Sequence, residues 1–155
     1  MNLYLIQHGT ATSKDEDPDR PLTEAGEDET NRMALYLSLH TDVRPHKIFH
    51  SGKLRARQTA EILAEALNPG GGVEAADGLS PSDDPNAWAD KLKDKKNDLM
   101  LVGHLPYLSR LTSLLITEDP DKFVVNFRNS GVVCLYRIEN AFWCVNWVLL
   151  PELVG

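Results

Sequence analysis

A short apolar run near the beginning of the chain ends abruptly in a polar pair, His8-Gly9. Residues 2–7 have the length and the composition of a buried β-strand, so this strand delivers the imidazole of His8 to its carboxyl end. Ligands of open α/β sheets bind at the edge formed by these strand ends. The beginning of the chain therefore predicts both a sheet-based fold and a candidate site residue.

Two further apolar runs deliver polar side chains in the same way. Residues 98–102 end in Gly103-His104, and residues 46–50 are followed by Arg55 on the first turn of a helical stretch. A neutral imidazole is a competent nucleophile towards phosphorus, and a guanidinium binds phosphate through two parallel hydrogen bonds. Each residue alone also fits a structural role at a strand end or on a solvated helix. The three together favour a phosphate site.

The spacing of apolar residues predicts ten secondary-structure elements in alternating order. Helices are predicted at 23–40, 53–67, 84–93 and 106–116, and strands at 2–7, 46–50, 73–76, 98–102, 131–138 and 142–150. Thr23 is expected to cap the first helix, and Asp84 the third, with Pro85 at its first position. This order predicts an α/β fold, a three-layer α/β/α sandwich with a mainly parallel sheet. A hairpin across Glu139-Asn140-Ala141 adds an antiparallel element.

Size, charge and cysteine content narrow the class of protein. The 155 residues suit a single domain over 1–155, and the net charge of −7 disfavours nucleic acid as a partner. The apolar runs are too short for a membrane span, and no secretory leader pattern is visible, so we expect a cytoplasmic protein. Cys134 and Cys144 are expected to be reduced, unless their strands pair side by side.

The motifs of this chain resemble those of the histidine phosphatase superfamily, in particular its small phosphohistidine phosphatases of the SixA type. The resemblance is carried, in order along the chain, by His8-Gly9, Arg20–Gly26, Ser51–Thr59 and Val102–Pro106. It implies a phosphoglycerate mutase-like fold, phosphorylation of His8 during turnover, and phosphoryl binding by Arg55 and His104. It also implies that no metal or other cofactor is needed, and that the substrate is a phosphohistidine-bearing protein such as a histidine phosphotransfer domain.

The residue before the nucleophile departs from the family pattern, which has Arg-His-Gly where this chain has Gln7-His8-Gly9. A neutral amide in place of a guanidinium should weaken phosphate binding by about 1–3 kcal/mol if the contact is buried. Arg20 supplies a replacement charge or, alternatively, forms a salt bridge with the acidic loop at 15–17. Gly9, which has no side chain, should let the backbone approach a phosphate closely.

The sequence leaves more than one function open. The first is a phosphohistidine protein phosphatase, which needs no dedicated acid because imidazole leaves more easily than an alkoxide. The second is a phosphomonoesterase for a small phosphorylated metabolite, with Asp77, Asp83 or Asp84 as general acid, although Asp84 is also predicted as a helix cap. The third is a weakly active phosphate- or protein-binding module, because Gln7 replaces the family arginine.

Overall fold

The strands and helices predicted from the apolar runs are present in the computed structural model, which describes residues 1–139 and 142–155. The strands are β1 (Asn2–Gln7), β2 (Lys47–His50), β3 (Val73–Ala75), β4 (Leu99–Gly103), β5 (Val132–Ile138) and β6 (Phe142–Leu149). The helices are α1 (Glu24–His40), α2 (Leu54–Leu67), α3 (Asn86–Leu92) and α4 (Tyr107–Thr117), and a 3₁₀ turn follows at Pro151–Leu153.

The six strands form one sheet in the order β3-β2-β4-β1-β5-β6. The pairings of β1 with β4, β2 with β4 and β2 with β3 are parallel, whereas β5 runs antiparallel to both β1 and β6. The predicted α/β fold, mainly parallel with an antiparallel hairpin, is therefore confirmed. Of the predicted turn, Asn140 and Ala141 lie outside the described residues.

The two faces of the sheet are buried against different helices, because successive side chains of a strand point to opposite sides. Tyr4 and Ile6 of β1 belong to a core cluster with residues of α1 and α2. Leu3 and Leu5 belong to a second cluster, which contains residues of α3 and α4. The result is the predicted three-layer arrangement, and the parallel central strands β1 and β4 end at the same edge of the sheet.

The N-cap of α1 is the predicted residue, whereas the N-cap of α3 lies one residue after the predicted one. Thr23 caps α1 as predicted, and its hydroxyl accepts from the Gly26 N–H at 2.9 Å. In front of α3, Asp84 accepts from the Asn86 N–H at 3.0 Å, and Pro85 occupies the cap position. The predicted N-cap at Asp84 is therefore one residue early, because this carboxylate closes a local turn onto the backbone two residues on.

Both cysteines are free thiols, although their strands do pair. Cys134 of β5 lies opposite Trp147, and Cys144 of β6 lies opposite Tyr136, so the register separates the two sulfur atoms. Among the helices of the described residues, none combines the length and the apolar character that a membrane span requires.

Candidate active site

His8 directly follows β1, and hydrogen bonds hold its backbone on both sides. Its N–H donates to the Gly103 carbonyl at 3.0 Å, and its own carbonyl accepts from the Asn129 side-chain amide at 2.8 Å. The ring Nδ1 lies 2.7 Å from the Gly9 carbonyl oxygen. Since a carbonyl can only accept, Nδ1 carries the proton, and Nε2 of the neutral ring keeps its lone pair. His8 is thus fixed with a nucleophilic nitrogen available.

His104 follows β4 and lies against His8, with the two ring centroids 5.0 Å apart and the ring planes tilted by 54°. Its Nε2 lies 2.6 Å from the hydroxyl oxygen of Ser51, which follows β2. Its Nδ1 is buried and makes no hydrogen bond with any described residue. The parallel register of β1 with β4 brings the two histidines together, as the strand ends predict.

Both imidazoles are neutral at neutral pH. Burial lowers the pKa of His8 to about 4, against the hydrogen bond to Gly9, and the charges of Arg55 and Arg20 lower it further. Burial lowers the pKa of His104 to about 3, with added contributions from His8, Arg55, Lys53 and Arg20. The cluster therefore combines two uncharged rings with two guanidinium groups.

Arg55 lies on the first turn of α2, and its Nε is buried without a hydrogen-bond partner among the described residues. Burial lowers the pKa of its guanidinium, and the charge of Arg20 lowers it further. Arg20 is in the loop after β1, where its Nε donates to the Thr12 carbonyl at 3.1 Å. Within the described residues, it forms none of the predicted ion pairs with the acidic loop at 15–17.

Four buried side-chain atoms of the described residues lack a hydrogen-bond partner. They are Gln7 Oε1, Arg55 Nε, His104 Nδ1 and the hydroxyl of Tyr107. Buried polar groups are nearly always paired, so each exception indicates an unmet interaction. Three of the four belong to residues that the sequence assigns to one phosphate site.

Gly9 has a packing role that the sequence does not reveal. A Cβ at this position would lie 2.6 Å from the Thr30 hydroxyl oxygen and 3.1 Å from that of Ser130. The Gly9 N–H donates to the Thr59 hydroxyl at 3.0 Å, so it is already engaged within the protein. Only glycine lets the turn after His8 pack this closely against α1.

An acidic cavity of about 410 Å³ lies next to the histidine pair and shares Ser51 with it. The residues that line it include the three candidate acids Asp77, Asp83 and Asp84. Asp83 accepts from the Ser80 N–H at 2.9 Å, so part of its acceptor capacity serves the local loop. Carboxylates are thus present beside the site.

Comparison with known proteins identifies the family. The family model of the histidine phosphatase superfamily (branch 1) matches residues 3–80. This chain belongs to the histidine phosphatase superfamily. An uncharacterized protein of Picosynechococcus sp. is 34% identical over 145 residues, which cover 87% of this chain and 84% of the relative. The phosphohistidine phosphatase SixA of Escherichia coli is 28% identical over 156 residues, which cover 97% of this chain and 94% of the relative.

The fold comparison agrees with the sequence comparison. The structure of the protein histidine phosphatase SixA complexed with tungstate aligns with a TM-score of 0.85 and 27% identity, covering 98% of each chain. The predicted resemblance to SixA-type members and the phosphoglycerate mutase-like fold are therefore confirmed.

Proposed function

We propose that this protein is a phosphohistidine phosphatase that passes the phosphoryl group through His8. The observation that carries the proposal is the state of the His8 ring, which is neutral, holds its proton at Nδ1 through the Gly9 carbonyl, and leaves Nε2 free. The unpaired nitrogens of Arg55 and His104 add donors for an anion. The similarity to SixA of Escherichia coli, a phosphohistidine phosphatase, supports the same substrate class.

In the first step, Nε2 of His8 attacks phosphorus and the P–N bond to the substrate imidazole breaks. The leaving imidazole takes a proton from water, and His8 becomes a phosphoimidazolium whose Nδ1–H donates to the Gly9 carbonyl. Arg55 and His104 donate to the phosphoryl oxygens, where negative charge develops in the transition state.

In the second step, water attacks phosphorus and the P–N bond to His8 breaks, and one proton of this water neutralises the hydroxide left by the first step. Inorganic phosphate leaves, His8 returns to its neutral form, and the complete reaction consumes one water molecule. No metal takes part in this scheme, because imidazole supplies the nucleophile and guanidinium supplies the positive charge. The substrate is a phosphohistidine on another protein, such as a histidine phosphotransfer domain, and the whole chain acts as one domain.

A second candidate is a phosphomonoesterase for a small phosphorylated metabolite. The observation in its favour is the acidic cavity, since a carboxyl group of Asp77 or Asp83 could protonate an alkoxide leaving group. The two candidates differ in the substrate that is hydrolysed faster.

The test compares a phosphohistidine peptide with p-nitrophenyl phosphate, with EDTA present throughout. We expect phosphate release mainly from the peptide, a phosphorylated His8 in mass spectra after an alkaline quench, and no turnover by His8→Ala. The matched control is His40→Ala, an exposed histidine at the end of α1, which should keep wild-type activity. Phosphate on another residue, or an active His8→Ala protein, would contradict the role of His8. Faster hydrolysis of p-nitrophenyl phosphate would favour the second candidate.

A further inference from the structure

The hydroxyl of Ser51 is the only group among the described residues that hydrogen-bonds the His104 ring. Ser51 follows β2, is half-buried, and places its Oγ 2.6 Å from His104 Nε2. The same oxygen accepts from the Lys53 N–H at 3.3 Å. These two contacts decide which nitrogen of His104 carries the proton.

A serine hydroxyl has one proton to donate and two lone pairs to accept with. Lys53 already donates to one lone pair. If Nε2 of His104 also donated to Ser51, the hydroxyl proton would have no acceptor within the described part of the chain, and Nδ1 would present a lone pair to a site built for an anion. If Ser51 instead donates to Nε2, the hydroxyl is satisfied and Nδ1 bears the proton.

The two histidines then play opposite roles because their ring partners differ. An acceptor, the Gly9 carbonyl, binds Nδ1 of His8 and leaves a nucleophilic Nε2. A donor, the Ser51 hydroxyl, binds Nε2 of His104 and leaves an N–H at Nδ1. The partner of one ring nitrogen commonly sets the state of the other.

We propose that Ser51 is a positioning residue that holds His104 in its Nδ1-protonated tautomer, so that Nδ1 donates to a phosphoryl group bound beside His8. The buried and unpaired Nδ1 of His104 is the donor this arrangement leaves available. The inference rests on the proposed function only for the identity of the acceptor, since the tautomer belongs to the free protein.

The experiment measures the ring ¹⁵N shifts of His104 and the affinity for vanadate in wild type and in Ser51→Ala. We expect Nδ1 to carry the proton in wild type, and Ser51→Ala to shift the ring towards the Nε2-protonated form. Loss of this hydrogen bond should weaken vanadate binding about two- to tenfold. It should also lower kcat more than it raises KM, because the donation strengthens in the transition state.

Two variants separate this role from a general effect of losing a hydroxyl. Ser80→Ala makes the same change in the wall of the same acidic cavity without touching His104, so it should behave as wild type. Ser51→Thr keeps the hydroxyl and should restore both the tautomer and most of the affinity.

A proton on Nε2 of His104 in wild type, or a tautomer unchanged in Ser51→Ala, would overturn the positioning role. A changed tautomer with unchanged vanadate affinity would overturn the donation to the phosphoryl group. Failure of wild type to bind vanadate would overturn the proposed function and this donation, while the ¹⁵N shifts would still decide whether Ser51 controls the ring.

Discussion

Burial of His8 makes the stability of the fold depend on pH, and a substitution that cannot titrate should remove part of that dependence. The pKa of His8 is about 4 in the folded protein, against an ordinary value of 6.5 in the unfolded chain. As the pH falls below 6.5, the unfolded chain takes up a proton at His8 that the folded protein accepts only near pH 4. The contribution of His8 to stability is therefore complete above this window and is lost progressively through it.

The size of the effect follows from the two pKa values. One pKa unit corresponds to about 1.4 kcal/mol, so the fall from 6.5 to about 4 is worth about 3 kcal/mol across the whole window. Between about pH 7 and about pH 5, where most carboxylates stay ionised, the His8 contribution to the free energy of unfolding falls by about 2 kcal/mol. The free energy of unfolding of wild type should fall over this interval by about 2 kcal/mol more than that of His8→Gln.

Urea denaturation followed by tryptophan fluorescence at several pH values measures this difference directly. His104 is present in both proteins, so the part of its contribution that comes from its own burial cancels. The part that comes from His8 is lost in His8→Gln, and this loss acts in the same direction as the expected difference. His40→Gln is the matched control, because His40 is exposed at the end of α1 and this variant shows the general effect of replacing a histidine by glutamine. Parallel profiles for wild type and His8→Gln would refute the claim that His8 is held neutral by burial.

Other substitutions test the anion site and the packing around it. Gln7→Arg should tighten vanadate binding, about tenfold for each 1.4 kcal/mol recovered, because it replaces a neutral amide, whose buried Oε1 is an unpaired acceptor, by a charged donor; unchanged affinity would contradict this. Arg20→Ala should weaken vanadate binding, since the charge of Arg20 already acts on both histidines, and equal affinity would place Arg20 outside the site. Gly9→Ala should cost about 1–3 kcal/mol of unfolding free energy, because its Cβ would meet the Thr30 hydroxyl at 2.6 Å. Gly103→Ala is its control, since the nearest atom lies at an ordinary 3.5 Å, and an equal loss in both would contradict the packing argument.

The elements of the fold could be predicted because each apolar run is bounded by polar or turn-forming residues. The proximity of His8, Arg55 and His104 was predictable for a related reason. Each follows a strand, and the carboxyl ends of parallel strands meet at one edge of a sheet. The order and direction of the strands, more than any single residue, therefore made it possible to predict this group of side chains from the sequence.

The contacts that support the site could not be predicted in this way. Thr30 bonds to Ser130 across 100 residues, and the Asn129 amide bonds to the His8 carbonyl across 121. Small hydroxyl and amide side chains follow no periodic pattern, and their partners depend on strand register and on the path of the loop before β5. For Ser51 the only signal was its place in a family motif, which does not reveal its bond to His104.

The replacement of the family arginine by Gln7 is consistent with the substrate class proposed for this chain. With both imidazoles neutral, the positive charge close to the site comes from Arg55 and Arg20 and, at His104, also from Lys53. Reduced charge lowers the stabilisation of negative charge that develops on the phosphoryl oxygens, and on an alkoxide leaving group most of all. When the substrate is phosphohistidine, the leaving imidazole takes up a proton and becomes a neutral ring, so transfer of its phosphoryl group requires less of this stabilisation. A site with Gln7 should therefore lose less rate on phosphohistidine than on a phosphate ester, which favours the first candidate function over the second.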